Sequence, residues 1–292
     1  MKDYIIRGIS KDKTFRLFVA RTTNLVEKAR RIHNTSPTAT AALGRALTAA
    51  VMMGITMKGE KDSLTFKIEG NGPIGSIVTV ANSRGEVKGY VDNPYADIPS
   101  RPDGKLDVGG LVGKDGQLVV IKDLGLKEPY IGMANLVSGE IAEDLVHYFY
   151  ISEQQPSAVS LGVLVDKDIS VKAAGGYMLQ LLPDIADKDL DRIEKILSKA
   201  KPVSTLINEG LTPEEIMVEL FGEFDMEILD KRFIDFKCNC QREKIENILL
   251  SLGKEEIEDM IKKDGKAEIV CNFCNSKYLF SKEDLYKLIN DN

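Results

Sequence analysis

The stretch Lys237-Cys238-Asn239-Cys240, answered by Val270-Cys271-Asn272-Phe273-Cys274, decides how this chain is organised. All four cysteines of the 292-residue sequence stand here, with 30 residues between the two pairs. In extended backbone, residues i and i+2 point to the same side, so Cys238 and Cys240 can present both sulfurs to one ion. The turn of Cys271–Cys274 does the same for the second pair. Four clustered thiols in a chain with no other cysteine point to a closed tetrahedral site for one Zn²⁺ per chain. A terminal module of about 60 residues builds little core, so the metal would supply folding free energy on the order of 10 kcal/mol. Neighbouring thiols freed from the metal can also oxidise to disulfides. Bridging residues i and i+2 closes a tiny, strained ring, which favours a labile bond. On the residues alone a static zinc ribbon is the favoured reading, because most all-cysteine sites are structural.

Immediately upstream the sequence changes character. Residues 184–230 carry 5 basic against 13 acidic side chains, a balance of −8, whereas residues 1–183 stand at +2 and residues 231–292 are neutral. The whole net charge of −6 therefore comes from this middle segment. Within it, 184–199 sets Ile185, Leu190, Ile193 and Leu197 at helical spacing. Thr212-Pro213-Glu214-Glu215 reads as a helix start with a capping Thr, Pro at the first position and Glu at the third. Ile216, Met217, Leu220 and Phe221 give that helix an apolar face, and Gly222 ends it. Helices this short are marginal in water, so their order must come from docking onto something else.

The first 183 residues alternate strand and helix signals. Tyr4–Ile9 and Thr14–Arg21 read as strands, with Phe15, Leu17 and Val19 on one face. A helix capped by Asn24 follows, then a second over Pro37–Met53. Leu64–Glu69, Ile74–Ala81, Glu86–Val91 and Gln117–Lys122 read as strands, Glu140–Tyr150 as a helix, and Val159–Val165 with Ile169–Ala174 as a hairpin. Hairpins outnumber βαβ units, so the fold class is α+β. The expected organisation is a mixed α/β core domain over 1–183, a helical acidic linker over 184–230 and a small four-cysteine zinc-binding domain over 231–292.

Composition and motifs narrow the function. Hydrophobic residues at 43% and charged residues at 29% describe an ordinary globular chain. No apolar run reaches the length of a membrane span, and the N-terminus lacks a secretory pattern, so a cytoplasmic location is expected. Gly70-Asn71-Gly72-Pro73-Ile74-Gly75 fits a dinucleotide-loop pattern, but a strand and not a helix follows it. Gly109–Lys114 resembles a P-loop ending, yet Asp115 stands where Ser or Thr must hold Mg²⁺. His33 and His147 sit on helices beside apolar residues with no triad partner nearby in sequence. No catalytic site is legible, so the chain is read as not an enzyme.

Several motifs, in this order, resemble one family. They are Glu69-Gly70-Asn71-Gly72-Pro73, Ser138-Gly139-Glu140-Ile141-Ala142-Glu143-Asp144-Leu145, Ser152-Glu153-Gln154-Gln155-Pro156-Ser157, Gly175-Gly176-Tyr177 and the CxC…CxxC ending. Together they resemble the 33-kDa heat-shock chaperonin family of bacteria, which are redox-regulated, ATP-independent holdase chaperones. The resemblance implies an inactive reduced form holding Zn²⁺ through Cys238, Cys240, Cys271 and Cys274. It implies that oxidant and heat form Cys238–Cys240 and Cys271–Cys274 disulfides, release zinc and unfold the module with its linker. Apolar surface then binds unfolding client proteins, and the activated chain forms a homodimer. Two rival readings remain beside it. A zinc-ribbon nucleic-acid-binding or translation accessory protein could stack bases on Phe273, Tyr278 and Phe280, though the neutral module lacks the usual basic footprint. A thiol–disulfide oxidoreductase would need its CxxC beside a βαβ pattern, which is missing here.

Overall fold

In a computed structural model, residues 1–183 and 185–290 are described; Asp184, where the linker is expected to begin, and residues 291–292 lie outside the described residues. The chain divides into two compact units, Met1–Lys237 and Cys238–Asn292. The first runs β1 (Tyr4–Ile9), β2 (Phe15–Arg21), α1 (Thr23–His33), α2 (Pro37–Gly54), β3 (Ser63–Glu69), β4 (Ser76–Asn82) and β5 (Glu86–Val91). It continues with α3 (Val108–Val112), β6 (Gln117–Asp123), β7 (Tyr130–Asn135), α4 (Ala142–Ile151), β8 (Ser157–Val165) and β9 (Val171–Leu181). Three helices follow, α5 (Asp187–Leu197), α6 (Val203–Asn208) and α7 (Pro213–Phe221), then β10 (Glu227–Phe233) and β11 (Asp235–Phe236). The second unit comprises α8 (Arg242–Ser251), α9 (Lys254–Lys263), β12 (Lys266–Val270), β13 (Lys277–Ser281) and α10 (Lys282–Asn290). The architecture is α+β.

Two sheets build the first unit, one ordered β10-β1-β2-β9-β8 and the other β11-β5-β4-β3-β6-β7. Helix α2 is apolar on nearly every side and is buried along most of its 18 residues, in one core cluster with side chains from both sheets. Its start follows the sequence closely: the Ser36 hydroxyl accepts from the Ala39 N–H, and Pro37 occupies the first turn. The central strands β1, β2 and β9 of the five-stranded sheet are buried on both faces, which explains why they are so apolar. Ile5, Phe18, Ala20, Ala174 and Met178 face the α1–α2 core. Tyr4, Ile6, Phe15, Leu17, Val19, Ala173, Tyr177 and Leu179 face the other way.

That second face is covered by the acidic segment. Ile193 of α5, Val203, Leu206 and Ile207 of α6, and Ile216, Met217, Leu220 and Phe221 of α7 pack into one cluster with it. Phe15 stacks edge-on with Phe224, ring centroids 5.0 Å apart, and tilts against Phe221 at 5.8 Å. The expected cap of α7 is present: Thr212 Oγ1 accepts from the Glu215 N–H, and the Glu215 carboxylate accepts from the Thr212 N–H at 2.8 Å. Gly8 in β1 leaves room for the close approach of Met217, since a Cβ there would lie 2.7 Å from its terminal methyl.

Some expectations shift. The cap of α1 is not Asn24; the helix begins at Thr23, and the Asp3 carboxylate accepts the Leu25 N–H at 2.7 Å. A cap supplied by a residue distant in sequence leaves no local signal. Helix α4 starts at Ala142 because the buried Asp144 carboxylate collects the N–H groups of Val137, Ser138, Gly139 and Ile141, holding Ile141 at a φ of 66°. Strands β7 and β10 and helix α6 carry no strong periodic pattern, so the sequence predicts none of them. The core unit continues to Lys237, so β10 straddles residue 231.

One polar cluster pins α7 to the sheet. Tyr4 Oη donates to Glu214 Oε2 at 2.5 Å, Lys231 Nζ donates to Glu214 Oε1 at 2.8 Å, and Lys231 lies 4.0 Å over the Tyr4 ring. Burial works to raise the Glu214 pKa, but the hydrogen bonds from Lys231 and Tyr4 outweigh it and leave it lowered. A depressed carboxylate stabilises docking above its unfolded pKa of about 4.3 and loses that contribution as pH falls through the lower folded value. Tyr4→Phe or Glu214→Gln should therefore speed amide exchange across 213–221 by roughly five-fold, corresponding to about 1 kcal/mol. In wild type the same amides should loosen on acidification below about pH 4, and in Glu214→Gln that acid dependence should shrink; equal exchange in all three proteins would remove this pin.

Candidate metal centre

The second unit is small. Among the described residues its core consists of Ile245, Leu249, Ile257, Ile261, Phe280 and Leu285, drawn from three helices and β13. Strands β12 and β13 form an antiparallel ribbon in which Ile269 opposes Tyr278 and Ala267 opposes Phe280. Cys271 follows the first strand directly. The turn that leads back is closed by the Cys271 N–H to the Ser276 carbonyl at 3.0 Å and the Asn275 N–H to the Cys271 carbonyl at 2.8 Å. Asn275 takes a left-handed φ of 55°, which Asn tolerates better than most residues. Cys238 and Cys240 come just before α8, whose Arg242 lies 4.3 Å over the Phe280 ring and bonds Asp284 at 3.0 Å. Local turn and helix start thus bring both cysteine pairs to one place.

The four sulfurs lie within 4.8 Å of one another, with Cys238 to Cys271 at 3.8 Å and Cys240 to Cys274 at 3.3 Å. Sulfurs about 2.3 Å from a tetrahedral ion stand about 3.8 Å apart, so the cluster has the size of a four-thiolate metal site. All four are free thiols, each half-buried. The donor set is all sulfur, which suits a soft cation and excludes the hard, oxygen-seeking ones.

Electrostatics makes the need for a cation explicit. Burial, then the neighbouring thiols, push the Cys238 pKa up to about 12, and burial raises Cys271 as well. Cys274 moves the other way, to about 7: burial opposes this, but the Ser276 side chain and backbone, with the Cys240 and Cys238 thiols, outweigh it. The Ser276 hydroxyl is 3.3 Å from Cys274 Sγ and donates once that sulfur is a thiolate. Tyr278 Oη donates to Cys240 Sγ at 3.1 Å, and this bond, followed by burial, raises the tyrosine to about 12. Four adjacent thiolates do not ionise together unless a positive charge joins them.

The other sequence candidates fall elsewhere. His33 is buried at the end of α1, its ring 6.4 Å from Phe236, and His147 is half-buried on α4. Gly70 and Gly72 serve packing, since a Cβ on either would lie 2.1–2.2 Å from backbone oxygens of α3. Phe280 is core and offers no stacking face, while Tyr278 and Ser276 are site residues that the cysteine spacing did not reveal.

A family model described as Hsp33 protein matches residues 3–281. The 33 kDa chaperonin of Desulforamulus reducens is 50% identical over 289 residues, covering 99% of this chain and 98% of the relative. That of Bacillus velezensis is 50% identical over 286 residues, with 98% of each chain covered. The crystal structure of the 33 kDa chaperonin from Thermotoga maritima is also similar, with a TM-score of 0.91 and 42% identity over 100% of this chain and 99% of that one.

The cluster sets a direct test. Reduced protein should take up one equivalent of Co²⁺ per chain with the intense thiolate-to-metal absorption of a tetrahedral sulfur site. Cys271→Ser or Cys238→Ser should weaken uptake by roughly a hundred-fold or more; an unaltered isotherm in either variant would show that its sulfur is no ligand.

Proposed function

Because the chain belongs to the Hsp33 family, we propose that it is a chaperone whose capture of unfolding proteins is switched by the redox state of Cys238, Cys240, Cys271 and Cys274. The observation that carries this reading is a set of four free thiols at metal-site spacing, preceded in sequence by a segment whose short helices cover an apolar sheet face. In the reduced state the four sulfurs would hold one Zn²⁺, which would supply most of the folding free energy of a unit with so small a core. The chain is no enzyme in this reading; its work is binding.

Each residue group has a part. The cysteines hold the metal and, on oxidation, pair within Cys238–Cys240 and Cys271–Cys274, giving up the ion. The unit 238–292 then loses its order. The linker, 184–230, is poised to follow: its helices α5, α6 and α7 span 11, 6 and 9 residues, too short to persist undocked. Its charge of −8 adds self-repulsion. Undocking would bare Tyr4, Ile6, Phe15, Leu17, Val19 and Tyr177 on the sheet, together with the apolar faces of the helices themselves. A contiguous apolar surface of this kind captures exposed hydrophobic segments of unfolding clients. The acidic linker keeps the resulting complexes soluble, and two activated chains associate through the same surfaces. Action in the cytoplasm, where thiols are normally kept reduced, makes oxidation a stress signal.

Aggregation of a thermally unfolding client should proceed unhindered with the reduced, zinc-loaded protein and be suppressed at about one chain per client after oxidation. Replacing both Cys271 and Cys274 by Ser should speed amide exchange across 185–230 without any oxidant. Slow exchange there in the metal-free variant would defeat the clamp, and equal suppression in both redox states would defeat the switch.

A further inference from the structure

The two cysteine pairs do not receive the same hydrogen bonds. Ser276 lies within the turn of its own pair, two residues past Cys274, and its hydroxyl reaches that sulfur at 3.3 Å. Tyr278 is borne by β13, on the ribbon that carries Cys271 and Cys274, yet its hydroxyl reaches across to Cys240 of the other pair at 3.1 Å. Its opposite number on β12 is Ile269, and its neighbour Phe280 is locked in the core, so the ribbon fixes where the phenol points.

We propose that Tyr278 is a positioning residue that holds Cys240 in the cluster and restrains oxidation of the Cys238–Cys240 pair. The inference rests on reading the cluster as a redox switch. A hydroperoxide oxidises such a pair in two steps. One thiolate attacks a peroxide oxygen, its electron pair forming the S–O bond as the O–O bond breaks and hydroxide leaves, giving a sulfenic acid. The second thiolate displaces hydroxide from that sulfur, closing the disulfide. A donor bonded to the attacking sulfur occupies the electron pair the first step needs, and the bond must break before attack. The tyrosine keeps its proton throughout. Because Tyr278 rides on the ribbon of the Cys271–Cys274 pair, Cys240 is released when that ribbon is disturbed, and one pair reports its state to the other. Ser276, by contrast, acts only within its own turn.

The test uses zinc-loaded, full-length protein challenged with hydrogen peroxide. Initial rates of closure are read separately for each pair by alkylation and peptide mass spectrometry, alongside zinc release to a chromogenic chelator. Tyr278→Phe should raise the initial rate at Cys238–Cys240 about ten-fold and leave Cys271–Cys274 unchanged. Ser276→Ala should show the reverse selectivity. Unchanged rates, or equal acceleration of both pairs in Tyr278→Phe, would overturn the proposal, since mere loosening of the unit is not selective. Should Tyr278→Phe fail to retain one zinc per chain, 3-fluorotyrosine at position 278, a stronger donor, must slow closure of Cys238–Cys240; an unchanged rate there overturns the proposal as well. If wild type closes neither pair, the redox reading itself fails; if it closes both and the variants match it, only the role of Tyr278 does.

Discussion

Four sulfurs held within 4.8 Å of one another form an arrangement that only a cation makes favourable. Left as thiols, Cys238 and Cys271 resist ionisation, and burial with mutual proximity sends Cys238 to about 12. With a soft divalent ion between them they deprotonate outright, and the repulsion that opposed clustering becomes attraction to a common centre. The remainder of the unit adds little independent support: six buried side chains among the described residues, and surface ion pairs such as Lys263–Asp259 whose partners are 70% and 50% exposed. In the proposed switch, everything that would follow from loss of a bound ion depends on this imbalance between one metal centre and a small core.

A second imbalance lies in the larger unit. The sheet face bearing Phe15, Leu17 and Tyr177 cannot stand in water, yet its cover is three short helices on a segment with 13 acidic side chains. The cover is specific where it matters. The capping box at Thr212 fixes where α7 begins, the absent side chain at Gly8 admits Met217, and Glu214 takes both a tyrosine and a lysine. Such a cover is ordered while docked and has few local contacts to remain ordered once lifted.

How far these features could be read from sequence follows from their range. The α7 start was legible because a capping box is complete within four residues, and β2 because the period-two set Phe15, Leu17 and Val19 is local. The cysteine cluster was legible because spacing alone brings the sulfurs of each pair together. What escaped reading was non-local. Asp3 caps a helix from the far side of a hairpin, Asp144 gathers amides from a loop, and β10 becomes a strand because β1 offers it an edge. Tyr278 stood in view as an aromatic on the module, but only the register of the ribbon turns its hydroxyl onto Cys240.

The path between the two imbalances is short and can be weighed link by link. Cys238 follows Lys237, whose N–H bonds the Val87 carbonyl at 2.9 Å and whose ammonium pairs with Glu86. That ion pair is 58% exposed at the lysine and contributes little. The two-residue parallel strand β11 adds only two rungs, Asp235 with Glu86 and Phe236 with Val87. The firm anchor is Phe236, 1% exposed in the main core, where full burial of such a ring is worth about 2–3 kcal/mol. Beyond it, β10 carries Lys231, which grips Glu214 on α7. Two buried side chains, Phe236 and Ile234, would therefore separate any disorder beginning at Cys238 from the strand that holds α7 down. In the proposed switch, an anchor of that size would leave the linker docked while the metal unit is intact and let it loosen once that unit is lost.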